Sequence, residues 1–495
     1  MNNLLFKQLI VLFLILIFVS EGCIKRPHDN TPALGIEPAI SPSYSAITIP
    51  YNIAPLNFRI EEAGRSYFAK ISSASGEIIK IASSSGTIEI PSKKWRKLLS
   101  ANKGRDLHID IYTRNNEGQW QRFRTIVNHI SAEPVDPYVY YRLLYPGYES
   151  WSDISIECRN TESFESHPLL KNSAADDNCI NCHSFNNGKT DNFLFHMRGS
   201  LAGTYFYSKG RFSKINHKSD NLSNGSVYPR WHPSGRFVAF SSNKIRQRFH
   251  AADRKLIEVG DLESSLALYD VDRNEIMKIG DDSTGKFMDT FPEWSPDGKY
   301  LYFCRAPKVG EDFDYKTVRY NLFRAPFDAS ARKTGKAELV FNADSIGKSI
   351  SFPRISPDGR FLVLTLADYG CFPIWHSEAD LYSLDLENKN FSRLDLNSDQ
   401  CESYHSWSSN GRWIIFSSKR DDGLTARPYI AWFDGKGKTG KPFILPQEDP
   451  LFYDNYLKTF NIPEFSTIDI RLSPGEARRL AGSEAVQSKW VKNRK

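Results

Sequence analysis

Polar and apolar residues alternate along most of this chain in short runs, each closed by turn residues. Between Ala46 and Val135 the runs AITIPY, LNFRIEE, YFAKISS, EIIKIAS, TIEIP, LHIDIYTR and QRFRTIVNHI each have the length of a strand. In the sixth, Leu107, Ile109 and Ile111 fall on one face and His108, Asp110 and Tyr112 on the other, the period-two pattern of a half-buried strand. About seven short strands over residues 46–135 predict a small β-sandwich. Only SKKWRKLLSA reads as helical, and it is short.

The second half of the chain repeats itself. YPRWHPSGRFVAFSSN, FPEWSPDGKYLYFCR, FPRISPDGRFLVLTLA and YHSWSSNGRWIIFSSKRDDG place Trp231, Trp294, Ile355 and Trp407 in equivalent positions, 52 to 63 residues apart. In each unit a strand ends at the Trp or Ile, a Pro-Asp-Gly or Ser-Asn-Gly type turn follows, and a second apolar strand begins. Further strand-like runs, such as LALYDVDRNEIMKIG and DLYSLDLENKNFSRLDL, complete four strands per unit. Radial units of this size make a β-propeller. The repeats resemble the TolB-type, WD-like propeller family over roughly residues 190 to 450. FLFHMRGSLAGTYFYSKGRFSKI reads as a degenerate further blade, with FSTIDIRLS closing the ring against it, for five or six blades. The predicted fold is all-β: an N-terminal β-sandwich followed by a five- or six-bladed propeller. The expected divisions are a signal peptide (1–22), a Pro- and Ser-rich tether (23–45), the sandwich (46–135), a connector (136–189), the propeller (190–470) and a basic tail (471–495). The Tyr- and Trp-rich stretch from Tyr138 to Trp151 is expected to pack between the domains.

Composition adds compartment. The 495 residues are 25% charged and carry a formal net charge of +6 with no long basic run, which argues against nucleic acid as the main partner. High aromatic content, 13%, and only four Met agree with β-structure. At the N-terminus, Lys7 precedes an apolar run from Leu9 to Val19, short for a membrane span and suited to a signal-peptide core. Ser20 and Gly22 then lead to Cys23. This resembles a bacterial lipoprotein signal, although Glu21 departs from the usual pattern. The resemblance implies lipidation at Cys23, a membrane anchor, and a place in the cell envelope, on the periplasmic side or surface of an outer membrane. Four further cysteines, Cys158, Cys304, Cys371 and Cys401, would pair or stay buried in such a compartment.

Chemistry concentrates in DDNCINCHSFNNGKT, where Cys179, Cys182 and His183 form C-x-x-C-H. The motif resembles the cytochrome c attachment site, which implies two thioethers to one haem c and His183 as axial iron ligand. A thioredoxin-like pair would need a βαβ unit, and none surrounds it. Structural zinc would have to recruit Cys158, His167 or His196. His196 is the expected sixth ligand, with Met197 and His167 as alternatives, since neighbours on a strand point to opposite faces. In the blade turns, His232, His376 and His405 with Glu378 are candidates for a site on one propeller face. Arg230, Glu293 and Arg354 are candidates for lining the channel. No G-x-S-x-G motif is present, and little chain follows residue 450, so an attached hydrolase is not expected.

Three functions follow as expectations. The first is a monohaem c-type electron-transfer or redox-partner protein whose propeller docks an envelope protein. The second is a haem-free interaction module, and the third a haem peroxidase or sensor with an open sixth position.

Overall fold

The computed structural model describes residues 26–492 apart from positions 29, 148–152, 187–191, 209, 223, 252–253, 283 and 311. The signal segment, Cys23, Trp151 and the last residues of the tail lie outside the described residues.

The N-terminal runs form two sheets. The larger has the order Thr48–Pro50, Ile126–Ser131, Arg105–Arg114, Ser66–Ser72, Ile79–Ser83, with Trp120–Arg122 added to Arg105–Arg114. The smaller joins Ile40–Ser41, Phe58–Ile60 and Thr87–Ile88. The predicted helix is present at Ser92–Ala101; it buries Trp95, Leu98 and Leu99, and the Trp95 indole donates to the Ile53 carbonyl at 3.0 Å. This core continues without a break into Phe361, Trp413 and Phe433 of the propeller, so the sandwich is seated on the ring.

The propeller has six blades among the described residues, each a sheet built outward from an inner strand. In blades 2 to 6 the inner strands are Cys179–Phe185, Val227–Trp231, Phe287–Trp294, Ser349–Ile355 and Glu402–Trp407. Blade 1 takes its inner strand from the far end of the chain: Thr459–Ser466 pairs with Tyr138–Leu144, which continues to Ser155–Asn160 and Ser166–Lys171. The six inner strands touch their neighbours in a closed circle. Closure with strands from both ends of the propeller removes the open edges that a sheet otherwise exposes.

Three expectations change here. The stretch read as a connector, 136–189, contains the outer strands of blade 1 and the inner strand of blade 2. Its aromatic residues do pack, but as strand residues: Tyr141 faces the sandwich-side core, while Tyr140 lies 4.6 Å from Phe185 between blades 1 and 2. The closing strand is TFNIPEFS rather than FSTIDIRLS, because Ile462 to Phe465 fit the inner-strand repeat that the other blades share. The tail is more than a solvated end. The helix Pro474–Gly482, with a capping box from Ser473 and Glu476, leads to Val486–Gln487 and Lys489–Trp490, which add in parallel to the outer edges of blades 2 and 3.

Candidate functional site

Each inner strand carries the same irregularity. A register shift interrupts its pairing, and one residue there takes positive φ: Cys182 at 54°, Tyr228 at 50°, Phe291 at 49°, Phe352 at 51°, Tyr404 at 49° and Ile462 at 52°. Such a bulge turns one side chain out of the strand's alternation, here toward the axis. Four of these six are aromatic and pack in sequence with tilted or edge-to-face rings, Tyr228 against Phe291 at 4.4 Å, Phe291 against Phe352 at 4.5 Å, and Phe352 against Tyr404 at 4.6 Å between centroids. Cys182 takes the same place in blade 2. C-I-N-C-H-S-F is therefore an inner-strand repeat, and it aligns with Cys401-Glu-Ser-Tyr-His-Ser-Trp407 of blade 6.

Two layers follow. At the position after Cys182 stand His183, Pro229, Pro292, Pro353, His405 and Pro463, and then Ser184, Arg230, Glu293, Arg354, Ser406 and Glu464. The predicted channel residues Arg230, Glu293 and Arg354 do meet, and Glu464 joins them. Arg230 lies 2.6 Å from Glu293 and 3.4 Å from Glu464, and Arg354 lies 3.5 Å from Glu293. Burial opposes the charge on Arg230, yet Glu293 and Glu464 hold its pKa above the ordinary value. Arg354 is pushed down to about 10 by burial and then by Arg230. Two cations and two carboxylates satisfy one another there, which reads as a structural seal.

The thiols open on the other side. Cys179, which is partly exposed, and the buried Cys182 both line a cavity of about 1140 Å³, its open mouth included. Ile245, Ile257, Val259, Phe372 and Trp375 give it apolar walls, and Arg142, Arg198 and Lys419 bring cations to it. Lys419 is unusual. Its ammonium group is buried, sits 3.1 Å from the centroid of the Trp375 ring, and has no hydrogen-bond partner. Burial lowers its pKa to about 7. Cys401 lines the same cavity and donates to the Pro373 carbonyl at 3.2 Å.

His183 lies next to this cavity and lines the narrower channel space below it, with Arg230, Arg354, His405 and Glu464. It is buried, and neither ring nitrogen makes a hydrogen bond of normal geometry, the Ile462 backbone being the polar group that favours its proton. Burial, with Arg142 as the second cause, pushes its pKa down to about 3, so the ring is neutral. A buried imidazole with both nitrogens free is costly in a folded protein unless a ligand uses it. The donor chemistry thus fits a haem c group: two thiols on one apolar cavity, cations at its wall, and an adjoining unprotonated imidazole.

The other candidates disperse. His196 is buried against Thr204, 3.3 Å from its hydroxyl, and Met197 packs in the core between blades 1 and 2. His167 stands on the outer strand of blade 1. None of the three lines the thiol cavity, because strand alternation turns Met197 and His196 to the two faces of blade 2 and not to the channel. His232 is held between Ser234 at 2.7 Å and the Gly298 carbonyl at 3.1 Å. A Cβ at Gly298 would come within 2.3 Å of that ring, so glycine is needed there for space as well as for its positive φ. His405 is 2.9 Å from the Val363 carbonyl. His376 and Glu378 belong to a separate network near the cavity mouth: His376 contacts Glu258 at 3.2 Å and Glu378 at 3.1 Å, and Lys255 lies 2.7 Å from Glu378. His232, His376 and His405 therefore do not share one site. None of the six described cysteines is in a disulfide.

Sequence reading missed Lys419 and the match of Cys179 with Cys401. The second was legible, since C-x-x-[CY]-H-S-[FW] occurs twice. No local signal marks Lys419.

No family model and no curated protein matches this chain. Solved structures give distant likenesses. A hydrazine synthase from Kuenenia stuttgartiensis aligns at TM-score 0.34 and 11% identity, over 57% of this chain and 71% of that one. A nidogen/laminin complex aligns at 0.36 and 11%, over 62% and 93%. Prolyl oligopeptidase B from Galerina marginata aligns at 0.33 and 13%, over 68% of this chain and 42% of that chain's length. At such TM-scores none of these likenesses bears on what the chain does, and the propeller rests on the strand pairing above.

Proposed function

We propose that this chain holds one haem c in the cavity at the mouth of its propeller channel. It serves as an electron-transfer or redox-partner protein of the cell envelope, anchored through a lipid on Cys23 and docking a partner protein by its propeller. The observation that carries the reading is that Cys179 and Cys182 open on one cavity beside a buried imidazole without a partner. When bound, the haem supplies one-electron chemistry. Cys179 and Cys182 are the attachment points. His183 offers a neutral nitrogen lone pair, since burial keeps the proton off its ring. Arg142, Arg198 and Lys419 are placed to pair with carboxylates of the group, which would relieve the unpartnered Lys419 ammonium. The apolar walls exclude water, and dielectric around a haem is one of the levers on its potential.

One observation favours a second reading. Among the described residues lining the cavity there is no His or Met to fill a sixth position. A sensor or peroxidase with an exchangeable site follows from that. The deciding experiment is a pyridine haemochrome spectrum of denatured protein from a host competent in cytochrome c maturation. A c-type band lost in Cys179→Ala/Cys182→Ala is expected. A wild-type chain without the band would overturn the haem and leave a haem-free interaction module. Given the band, a spectrum that shifts with carbon monoxide selects the sensor or peroxidase reading, and an unresponsive one selects electron transfer.

A further inference from the structure

Away from the thiol cavity, three metal-ligating side chains come together on blade 1. Cys158 and His167 are direct cross-strand partners on Ser155–Asn160 and Ser166–Lys171, so the sheet itself sets them side by side. Asp469 reaches them from the segment just after the closing strand Thr459–Ser466. Its Oδ1 lies 3.9 Å from the Cys158 Sγ and 3.1 Å from the His167 Nε2, and all three ligand atoms fall within 4.8 Å of one another.

We propose that Cys158, His167 and Asp469 bind a divalent zinc-type cation, with a water in the fourth position. Tetrahedral zinc with bonds of about 2.0 Å to N and O and about 2.3 Å to S sets neighbouring ligand atoms about 3.3–3.5 Å apart. The two measured separations lie on either side of that range, so small side-chain movements suffice. The second carboxylate oxygen of Asp469 is held by Arg471 at 2.8 Å, which leaves Oδ1 for the metal. Such outer contacts orient a ligand in metal sites. Cys158 is buried, whereas the His167 and Asp469 side chains keep 26% and 21% exposure, so a water can complete the set.

On binding, the Cys158 thiol loses its proton to solvent and the sulfur takes the metal as thiolate; no redox change is involved. The consequence is structural. The cation ties the segment following the closing strand to the two outermost strands of the same blade, at the seam where the ring is joined. The site is independent of the haem reading, because neither Cys179 nor Cys182 takes part.

The test is metal analysis of the full chain after exposure to zinc and removal of excess. One zinc per chain is expected, retained in Cys179→Ala/Cys182→Ala and lost in both Cys158→Ser and Asp469→Asn. Cobalt in place of zinc should give a thiolate charge-transfer band that Cys158→Ser abolishes. Zinc should also raise the melting temperature of the wild-type chain and not that of Asp469→Asn. Absence of bound zinc from the wild type, or zinc held equally by the Cys158 and Asp469 variants, overturns the proposal. If Cys158→Ser fails to fold, Asp469→Asn decides the matter by the same readings.

Discussion

The inner strands of blades 2 and 6 are two versions of one element. Both read Cys, two residues, then Cys or Tyr, His, Ser and an aromatic residue. Both bulge at the fourth residue, with Cys182 at φ 54° and Tyr404 at φ 49°. Both bury the histidine that follows. In blade 6 more of the parts are occupied: Cys401 donates to the Pro373 carbonyl, His405 meets the Val363 carbonyl through Nε2 while its Nδ1 has no partner, and the Tyr404 ring packs against Phe352. In blade 2 the aromatic is exchanged for a thiol, and His183 has no partner at either nitrogen. The backbone is the propeller's own; what sets blade 2 apart is a thiol, donating to Asn181 Oδ1 at 2.8 Å, in the place of an aromatic ring, and the histidine after it. On the proposed reading, C-x-x-C-H would be presented by a bulged strand at the channel mouth, with no helical scaffold around it.

The largest expected effect comes from erasing that difference. Cys182→Tyr makes blade 2 read as blade 6 does. On a denaturing gel stained for haem, attachment should fall to what the remaining thiol of Cys179 can hold, and adding Cys179→Ala should abolish it, while the far-ultraviolet spectrum stays that of a propeller. The added volume in the ring of packed residues should cost about 1–3 kcal/mol of stability. Covalent haem that survives the loss of both Cys179 and Cys182 would show that blade 2 is not the attachment strand.

This comparison also marks what could be read in the sequence. Four repeats were visible because Trp231, Trp294, Ile355 and Trp407 sit before Gly-bearing turns, where two local signals reinforce each other. Blade 2 was half-hidden: its outer strands read as a degenerate blade, but its inner strand carries Cys182 and Phe185 where blades 3, 4 and 6 carry an aromatic residue and Trp. Blade 1 was hidden altogether, since its inner strand lies more than 300 residues from the strand it pairs with, Tyr138–Leu144 (Tyr138 pairs with Ser466), and no local pattern encodes such a pairing. C-x-x-C-H was found by its spacing. The cavity, Lys419 and the meeting of Cys158 with Asp469 depend on the ring's closure and were not.

Protonation gives the next largest effect. His183, His196, His217 and His405 are each pushed down to about 3, chiefly by burial. Unfolded histidine titrates near 6.5, so between about pH 6.5 and 3 the unfolded chain binds protons that the folded chain refuses. Their contribution is complete above about pH 6.5 and is lost as pH falls, by about 1.4 kcal/mol per pH unit for each ring. Urea unfolding of Cys179→Ala/Cys182→Ala at stepped pH should follow this slope. Adding His405→Gln should remove one ring's share of it. An unchanged slope would mean that His405 is not buried neutral in blade 6, and its likeness to His183 in burial would fail.

The smallest effect lies at the last residue of the repeat. Trp407 donates its indole N–H to the Arg354 carbonyl of the preceding blade at 3.1 Å, as Trp294 does to Arg230 at 3.1 Å and Trp231 to Ser184 at 3.3 Å. Phe185 cannot donate; it packs instead, 4.6 Å from both Tyr140 and Phe193. Trp407→Phe keeps most of the apolar contact and leaves the Arg354 carbonyl without that donor, a loss of about 1 kcal/mol. Phe185→Leu keeps an apolar side chain and gives up only ring packing, which aromatic pairs add at about 0.5–1.5 kcal/mol. If blade-to-blade hydrogen bonds hold the ring, Trp407→Phe should lower the urea midpoint and Phe185→Leu should also release haem-binding geometry, seen as a changed haem spectrum. Equal stability losses with an unchanged spectrum in both would mean that Phe185 is only an anchor, and that blade 2 differs from blade 6 in its thiol and free imidazole alone.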